Sequence, residues 1–138
     1  TQLSPEMVRR FARLTGDDQD LHGADGRRGP GILVQGALLV AVTTALLHAV
    51  YCLPWARASY QTGYDRLRFR GEVAAGTAVR LHPTPARLRG LRDGRYRLET
   101  DVALESAVHA RPVLTGRFLA LIVPHDTPNA PAAGAYAP

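Results

Sequence analysis

The sequence predicts an α+β protein in which a curved antiparallel sheet wraps around one long central helix. Three observations support this fold class. A capped amphipathic helix opens the chain, and an apolar segment without Asp, Glu or Arg lies between residues 29 and 56. The second half of the chain alternates apolar and polar residues in short segments, which is typical of strands. A helix that is apolar nearly all round is expected to be buried on most sides, and the strands supply its cover.

Composition and charge fit a single globular domain with an anionic partner. The chain has 138 residues, of which 46% are hydrophobic and 21% charged. All of its long basic side chains are arginines, and the formal net charge is +5, which favours phosphate or carboxylate partners.

The single cysteine, Cys52, excludes an internal disulfide and predicts a reducing, cytoplasmic environment; we expect it to be buried. The first ten residues do not resemble a signal peptide, because no apolar segment follows the charges.

The first helix is expected to run from Pro5 to Thr15. Ser4 is a favourable N-cap, proline fits the first helical position, and Gly16 is a favourable residue after a helix end. Apolar residues recur between these limits at helical spacing. They are Met7, Val8, Phe11 and Leu14.

The apolar segment QGALLVAVTTALLHAVYCL is expected to form the central helix. Its length raises a transmembrane interpretation. The segment nevertheless contains Gln35, His48 and two threonines, and a glycine and a proline bracket it. These features favour a buried helix of a soluble protein with no membrane partner. We expect His48 to be a core or interface histidine.

Four or five antiparallel strands are expected after this helix. The dipeptide Asp93-Gly94 is a strong hairpin signal and joins two of them. The expected strands are one around Leu67–Val73, then 77–81, 87–91, 95–104 and 113–123. One face of the fourth carries Tyr96, Leu98, Thr100, Val102 and Leu104. The hotdog fold has this order of elements, which is a helix, a loop, a buried helix and then antiparallel strands. We expect the domain to cover residues 1–124 and a flexible tail to cover 125–138.

The stretch LTGDDQDLH places Asp17 five residues before His22. On a helix this spacing puts the two side chains about 140° apart, and on a strand it puts them on opposite faces. The two residues can therefore cooperate only across a turn, which the preceding Gly16 favours. An aspartate beside a histidine is the usual arrangement for proton transfer. From the residues alone, a solvated loop at the end of the helix is the preferred interpretation, and a catalytic pair stays open.

Four segments of the chain resemble one protein family. FARLTGDDQDLH is similar to the signature F-A-x-x-S/T-G-D-x-N-P-L/I-H of the MaoC-like (R)-specific enoyl-thioester hydratase and 3-hydroxyacyl-thioester dehydratase family. GILVQGAL resembles the family's H-G-M-like turn, which opens the central helix. RFRGEVAAGT and LTGRFLALIVP resemble a later strand and turn and the closing strand. The resemblance covers about residues 3 to 124. The family's Asn-Pro is Gln19-Asp20 in this chain, and its H-G-M is Gln35-Gly36-Ala37.

The resemblance implies a hydratase or dehydratase that acts on the C2=C3 bond of an acyl thioester of coenzyme A or acyl-carrier protein. Asp17 and His22 match the family's catalytic pair, and Gly36 matches the glycine whose N–H meets the thioester carbonyl. A free N–H at a helix N-terminus suits that role independently. The resemblance implies a homodimer and no metal or other cofactor. The expected substrate-binding residues are Gln35, Ala37, Leu39, Val40 and Thr43.

Other functions stay open at this point. The chain is alternatively another hotdog enzyme acting on a thioester or polyketide intermediate, such as a thioesterase, cyclase or isomerase, or a non-catalytic partner subunit. The arginine-rich stretches 66–71 and 87–97 most simply form solvated strand faces. The second interpretation is that they bind the phosphates of coenzyme A or an acidic carrier protein. No nucleic-acid motif accompanies them, so a nucleic-acid partner is not expected. His82, His109 and His125 lack the spacing of metal ligands and are expected at the surface.

Overall fold

The computed structural model describes residues 1–17, 19–23 and 31–125. The helices of these ranges are α1, Pro5–Thr15, and α2, Gly36–Val50. The strands are β1, Ala56–Phe69; β2, Val79–Gly90; β3, Tyr96–Ser106; and β4, Leu114–Pro124. All four pair antiparallel in one sheet with the order β1-β4-β3-β2. The predicted α+β class and the predicted element order are therefore confirmed.

Helix α1 has the bounds and the caps that the sequence predicts. The Ser4 side chain accepts a hydrogen bond from the Met7 backbone N–H at 3.2 Å. Gly16 ends the helix in the left-handed conformation with φ 71°, which a residue with a Cβ adopts at a cost. Only one side of the helix enters the core, because Val8 and Ala12 are buried whereas Leu14 is exposed.

Helix α2 is buried on one side only, so the expectation that it is covered on most sides is wrong for a single chain. Leu38, Leu39, Thr43 and Leu47 face the core. The opposite side exposes a row of alanines spaced by four residues, which we call the alanine face. It consists of Ala37, Ala41, Ala45 and Ala49. Cys52 is exposed, which corrects the expectation that it is buried. His48 is exposed as well, so it is not a core histidine of the single chain, and its place in an interface stays a prediction. The helix is too short to span a bilayer, and the part of the chain that the structure describes has no other candidate span.

The inner face of the sheet packs against α2 and carries the core. The predicted face of β3 is confirmed, with Thr100, Val102 and Leu104 at most 4% exposed. From β4, Leu114 and Phe118 join the same hydrophobic cluster as Leu38, Leu39 and Leu47 of the helix. The hairpin at Asp93-Gly94 is also confirmed, with Gly94 at φ 80°.

The outer strands differ most from prediction. Strand β1 begins at Ala56, about ten residues before the apolar alternation that predicts it. The two short strands expected at 77–81 and 87–91 are parts of one strand, β2, which contains Pro83 and Pro85. Proline lacks a backbone N–H, and β2 tolerates two because it lies at the edge of the sheet. Strand β1 lies at the other edge and has register shifts against β4, which bend a sheet.

Short backbone pairings fix the segments on either side of α1. Gln2, which precedes the first helix, pairs with Ala78 in an isolated bridge. Leu33 pairs with Ala74, and the Val34 N–H donates to the Val73 carbonyl at 2.8 Å. These bonds hold the segment before α2 against the segment after β1. The expected tail, 125–138, lies outside the described residues except for His125.

Candidate active site

The side chains of Asp17 and His22 meet across a short turn. Helix α1 ends at Gly16, Asp17 follows, and residues Asp20–His22 form one 3-10 turn. The His22 backbone N–H donates to the Gln19 carbonyl at 2.9 Å, which closes the turn. The His22 Nε2 then lies 3.6 Å from the Asp17 Oδ2. The pairing across a turn, which the five-residue spacing requires, is the arrangement in the structure.

A hydrogen bond fixes the proton on the His22 ring. The residue is 6% exposed, and its Nδ1 lies 2.8 Å from the Leu33 carbonyl oxygen. A carbonyl only accepts hydrogen bonds, so the neutral ring carries its proton on Nδ1. The lone pair of Nε2 is therefore directed towards Asp17. The Leu33 N–H donates to the Leu21 carbonyl at 2.8 Å. This bond holds the segment before α2 against the turn that contains His22.

The Asp17 carboxylate is held by Gln19 on one oxygen and faces His22 with the other. The Gln19 Nε2 donates to the Asp17 Oδ1 at 3.0 Å. The distance from Oδ2 to the His22 Nε2, 3.6 Å, is too long for a direct hydrogen bond. A water molecule between these two atoms would donate to one of them or to both. Gln19 stands where the family has asparagine, and it supplies an orienting contact from a longer side chain.

Gly36 begins α2 three residues after Leu33, whose carbonyl contacts the His22 ring. The first N–H groups of a helix have no carbonyl partner inside it, and they lie at the positive end of the helix dipole. The preceding residue, Gln35, supplies no side-chain cap. Its Nε2 instead donates to the Val8 carbonyl at 3.2 Å, which ties the start of α2 to α1. The N-terminus of α2 is therefore an anchored site for a carbonyl or anionic oxygen.

Phe69, the last residue of β1, packs against Gly36. A Cβ added to Gly36 would lie 3.0 Å from the Phe69 Cζ and 3.1 Å from its Cε1. Phe69 is nevertheless 52% exposed. Nothing in the local sequence signals this contact, because Phe69 reaches Gly36 only through the pairing of β1 with β4. Sequence reasoning therefore missed Phe69, and it also missed the Leu33 carbonyl that orients His22.

The residues of α2 that are expected to bind substrate differ in their exposure to solvent. Ala37 is exposed and Val40 is half-buried. The other three, Gln35, Leu39 and Thr43, are at most 2% exposed in this chain. The Thr43 hydroxyl donates to the Leu39 carbonyl of the preceding turn at 2.8 Å.

Two cavities of the described chain lie away from the pair. One of about 560 Å³ is bordered by Thr1, Leu46 and the start of β2. The other, of about 360 Å³, lies between the C-terminal half of α2 and the inner face of the sheet, where Leu47, Tyr51 and Phe118 line it. Asp17, His22 and Gly36 line neither cavity. Among the described residues, no group of three or more His, Cys, Asp or Glu side chains is placed to hold a metal ion.

Comparisons with known proteins agree with the fold described above. No family model matches the chain. The chain is 25% identical over 114 residues to 3-hydroxyacyl-thioester dehydratase Z of Mycobacterium tuberculosis, covering 80% of this chain and 76% of that protein. Among solved structures, it is similar to an (R)-hydratase from A. caviae involved in PHA biosynthesis, with a TM-score of 0.66, 22% identity, and coverage of 87% of this chain and 88% of that one.

A third relative carries the family name in its description. The MaoC-like dehydratase from Rhodospirillum rubrum has a TM-score of 0.71 and 16% identity, with 92% of this chain and 88% of that chain covered. These relatives are hydratases and dehydratases, and the dehydratase of known substrate class acts on acyl thioesters. The chain therefore has the hotdog fold of these MaoC-like proteins, as predicted, and its sequence is similar to that of a 3-hydroxyacyl-thioester dehydratase.

Proposed function

We propose that this chain is a hydratase or dehydratase, a carbon–oxygen lyase, that acts on the C2=C3 bond of an acyl thioester carried by coenzyme A or acyl-carrier protein. The observation that carries the proposal is the buried His22. Its Nδ1 is satisfied by the Leu33 carbonyl, and its Nε2 lone pair faces Asp17 Oδ2 at 3.6 Å. A histidine with one nitrogen fixed and the other available beside a carboxylate is arranged as a general base.

In the proposed reaction, Gly36 polarises the substrate and the pair activates water. The thioester carbonyl accepts a hydrogen bond from the Gly36 N–H, which draws electrons away from C3. Water held between Asp17 Oδ2 and His22 Nε2 loses a proton to the pair, and its oxygen bonds to C3. The C2=C3 electrons move to the carbonyl oxygen as an enolate. The enolate then collapses as C2 takes up the proton that the pair removed from water, which restores both the carbonyl and the pair. Dehydration of a 3-hydroxyacyl thioester is the reverse sequence.

General principles give the size of each contribution to the reaction rate. Acid–base assistance is worth roughly 10² to 10⁴ in rate. A single preorganised donor at a developing oxyanion is worth about 10² to 10³. The proposed steps use only side chains and one backbone N–H, so they require no metal or redox cofactor.

The solvent exposure of the residues along α2 decides which of them we assign to substrate contact. Ala37 and Val40 border the start of α2 and are not fully buried, so we assign them direct contact with the thioester. Gln35, Leu39 and Thr43 are buried, and they contribute by holding the N-terminal half of α2 in place. We assign the exposed arginines of β1 and of the β2–β3 hairpin no part in the chemical step.

We also propose that the working unit is a homodimer. The alanine face of α2 is exposed although the helix carries no charged residue, and one edge of β1 has no strand beside it among the described residues. Both features are costly in water and are removed by pairing with a second copy.

The test is loss of the enoyl-thioester absorbance with crotonyl-CoA and with longer enoyl-CoA substrates. Wild type should consume the band, and His22→Ala should reduce the rate by about 10² or more. A folded wild type that leaves every enoyl substrate unchanged, and also forms no enoyl product from 3-hydroxyacyl-CoA, contradicts the proposal. Release of free thiol from saturated acyl-CoA would instead indicate a thioesterase. Activity that appears only with another subunit and survives Asp17→Asn would indicate a non-catalytic partner.

A further inference from the structure

Phe69 combines exposure with a close contact at the functional site. It is an aromatic side chain with 52% of its surface open to solvent, and it is the last residue of β1. Its backbone position is fixed, because it pairs with Leu114, which is fully buried, and the next N–H donates to the Val113 carbonyl at 2.7 Å. A large exposed aromatic ring on a rigid backbone is a typical ligand-contacting group.

The Phe69 ring lies beside Gly36, at the N-terminal end of α2. In a helix each Cα–Cβ bond tilts towards the N-terminus, which is also the direction of the N–H groups. Three ring atoms of Phe69 lie within 3.4 Å of the point that a Gly36 Cβ would occupy. The ring edge is therefore near the end of the helix where an oxygen that accepts the Gly36 hydrogen bond would lie.

We propose that Phe69 is a substrate-contacting residue that forms the wall of the site beside the Gly36 N–H and determines how much room the thioester has there. This inference rests on the proposed function, since it assumes that a thioester carbonyl binds at Gly36. The ring would exclude water from one side of the carbonyl, and a hydrogen bond shielded from water is stronger. It would also limit the width of the group that binds next to the carbonyl.

The same contact explains why the first residue of α2 is a glycine. A methyl group on Gly36 would require the Phe69 ring to shift by a few tenths of an ångström. If the space beside the ring were only solvent, the ring would turn outwards at little cost. If the space holds substrate, the displaced ring enters the site. The effect of Gly36→Ala on activity therefore depends on what Phe69 contacts.

A double-mutant cycle with Gly36→Ala and Phe69→Ala tests the proposal through kcat/KM for crotonyl-CoA hydration. Gly36→Ala keeps the N–H, and we expect it to lower kcat/KM by about tenfold to a hundredfold. In the Phe69→Ala background the same change should cost about twofold or less, because the ring is gone. Equal losses in the two backgrounds, or no loss in either, overturn the proposal.

Single variants keep the test valid if Gly36→Ala does not fold. Phe69→Ala removes a half-exposed side chain, so the fold should survive, and the KM should rise by about fivefold or more, with Phe69→Leu intermediate. The matched control is Tyr60→Ala, an aromatic 57% exposed on the same strand and about 30 Å from Phe69 along it. It should change KM by about twofold at most. Equal effects of the two alanine variants overturn the proposal.

Binding of butyryl-CoA, a saturated and unreactive substrate analogue, separates this inference from the proposed reaction. Calorimetry should show weaker binding to Phe69→Ala than to wild type and unchanged binding to Tyr60→Ala. If wild type binds butyryl-CoA through Phe69 but hydrates no enoyl-CoA, the reaction is wrong and the inference stands. Unchanged affinity in Phe69→Ala, or no binding to wild type, overturns the inference.

Discussion

Replacing Asp17 with asparagine exchanges one carboxylate oxygen for an NH2 group, and Gln19 determines where that group lies. The Gln19 Nε2 donates to Asp17 Oδ1 at 3.0 Å, so the asparagine oxygen is retained at that position as the acceptor. The NH2 group then takes the place of Oδ2, which faces His22 Nε2 at 3.6 Å. In that position it donates to the lone pair of the base. Asp17→Asn is therefore expected to remove the negative charge and to block His22 as well.

The expected magnitude follows from these two effects. Loss of acid–base assistance lowers kcat by about 10² to 10⁴. Asp17→Ala leaves the His22 lone pair open, so Asp17→Asn should be no more active than Asp17→Ala, although it preserves the shape of the side chain. Stability should change by less than about 1 kcal/mol, because the Asp17 side chain is one-third exposed and lies 3.6 Å from the His22 ring, too far for a direct hydrogen bond.

The assay is the initial rate of crotonyl-CoA hydration, with circular dichroism to establish folding. Asp65→Asn is the matched control, because it makes the same chemical change at an exposed aspartate of β1 paired with Arg66. We expect this control to keep wild-type kcat. An Asp17→Asn variant within about tenfold of wild type, or clearly more active than Asp17→Ala, would refute the assigned His22 proton and the assigned role of Gln19.

Three further predictions concern other parts of the molecule. Gln19→Ala should lower kcat by about twofold to tenfold, the worth of one orienting hydrogen bond, and Gln19→Asn should fall between it and wild type; steady-state kinetics check this, and an unchanged kcat contradicts it. The Arg117 guanidinium donates to Asp101 at 2.7 and 2.9 Å and holds the pKa of that carboxyl below its ordinary value. Because the folded-state pKa is the lower one, the stabilisation is present above the unfolded-state pKa of about 4 and is lost as pH falls through the acid range. Urea titrations should therefore show a smaller acid loss of stability in Asp101→Asn than in wild type, and parallel profiles would contradict the assignment. Ala41→Glu on the alanine face should convert a dimer into a monomer in analytical ultracentrifugation, whereas a dimer that persists would place the interface elsewhere.

Sequence reasoning succeeded where the structural signal is local. Ser4, Pro5 and Gly16 define both ends of α1 through side-chain and backbone preferences that act within a few residues. Asp93-Gly94 fixes a hairpin in the same way. The meeting of Asp17 and His22 is also local, because the 3-10 turn that joins them lies between the two residues.

Prediction failed where pairing over long distances decides the structure. Most of β1 was missed because its sequence, ARASYQTGYDR, lacks apolar alternation, and it is a strand because β4 pairs with it. The close approach of these strands needs Gly116, where a Cβ would lie 3.0 Å from the Leu67 Cα. No property of residues 56–66 alone contains that information.

The site has the same division between local and distant contacts. The resemblance predicts the pair, whereas the residues alone favour a solvated loop. The proton arrangement of the pair depends on Leu33, which lies eleven residues from His22. The Phe69 wall depends on the register of the sheet. The apolar composition of α2 predicts burial, but one sequence cannot separate cover by its own sheet from cover by a second copy. The exposed alanine face is the part of that helix that its own sheet leaves open.

Hydration of crotonyl-CoA in ¹⁸O-labelled water tests the central claim most directly, because the label reports which bond the oxygen of water forms. If the Asp17–His22 pair adds water at C3, mass spectrometry will find ¹⁸O in the 3-hydroxyl group of an intact thioester, and His22→Ala will not form this product at a comparable rate. Label in a free carboxylate released with coenzyme A, or no label in any product of a folded wild type, would contradict the account.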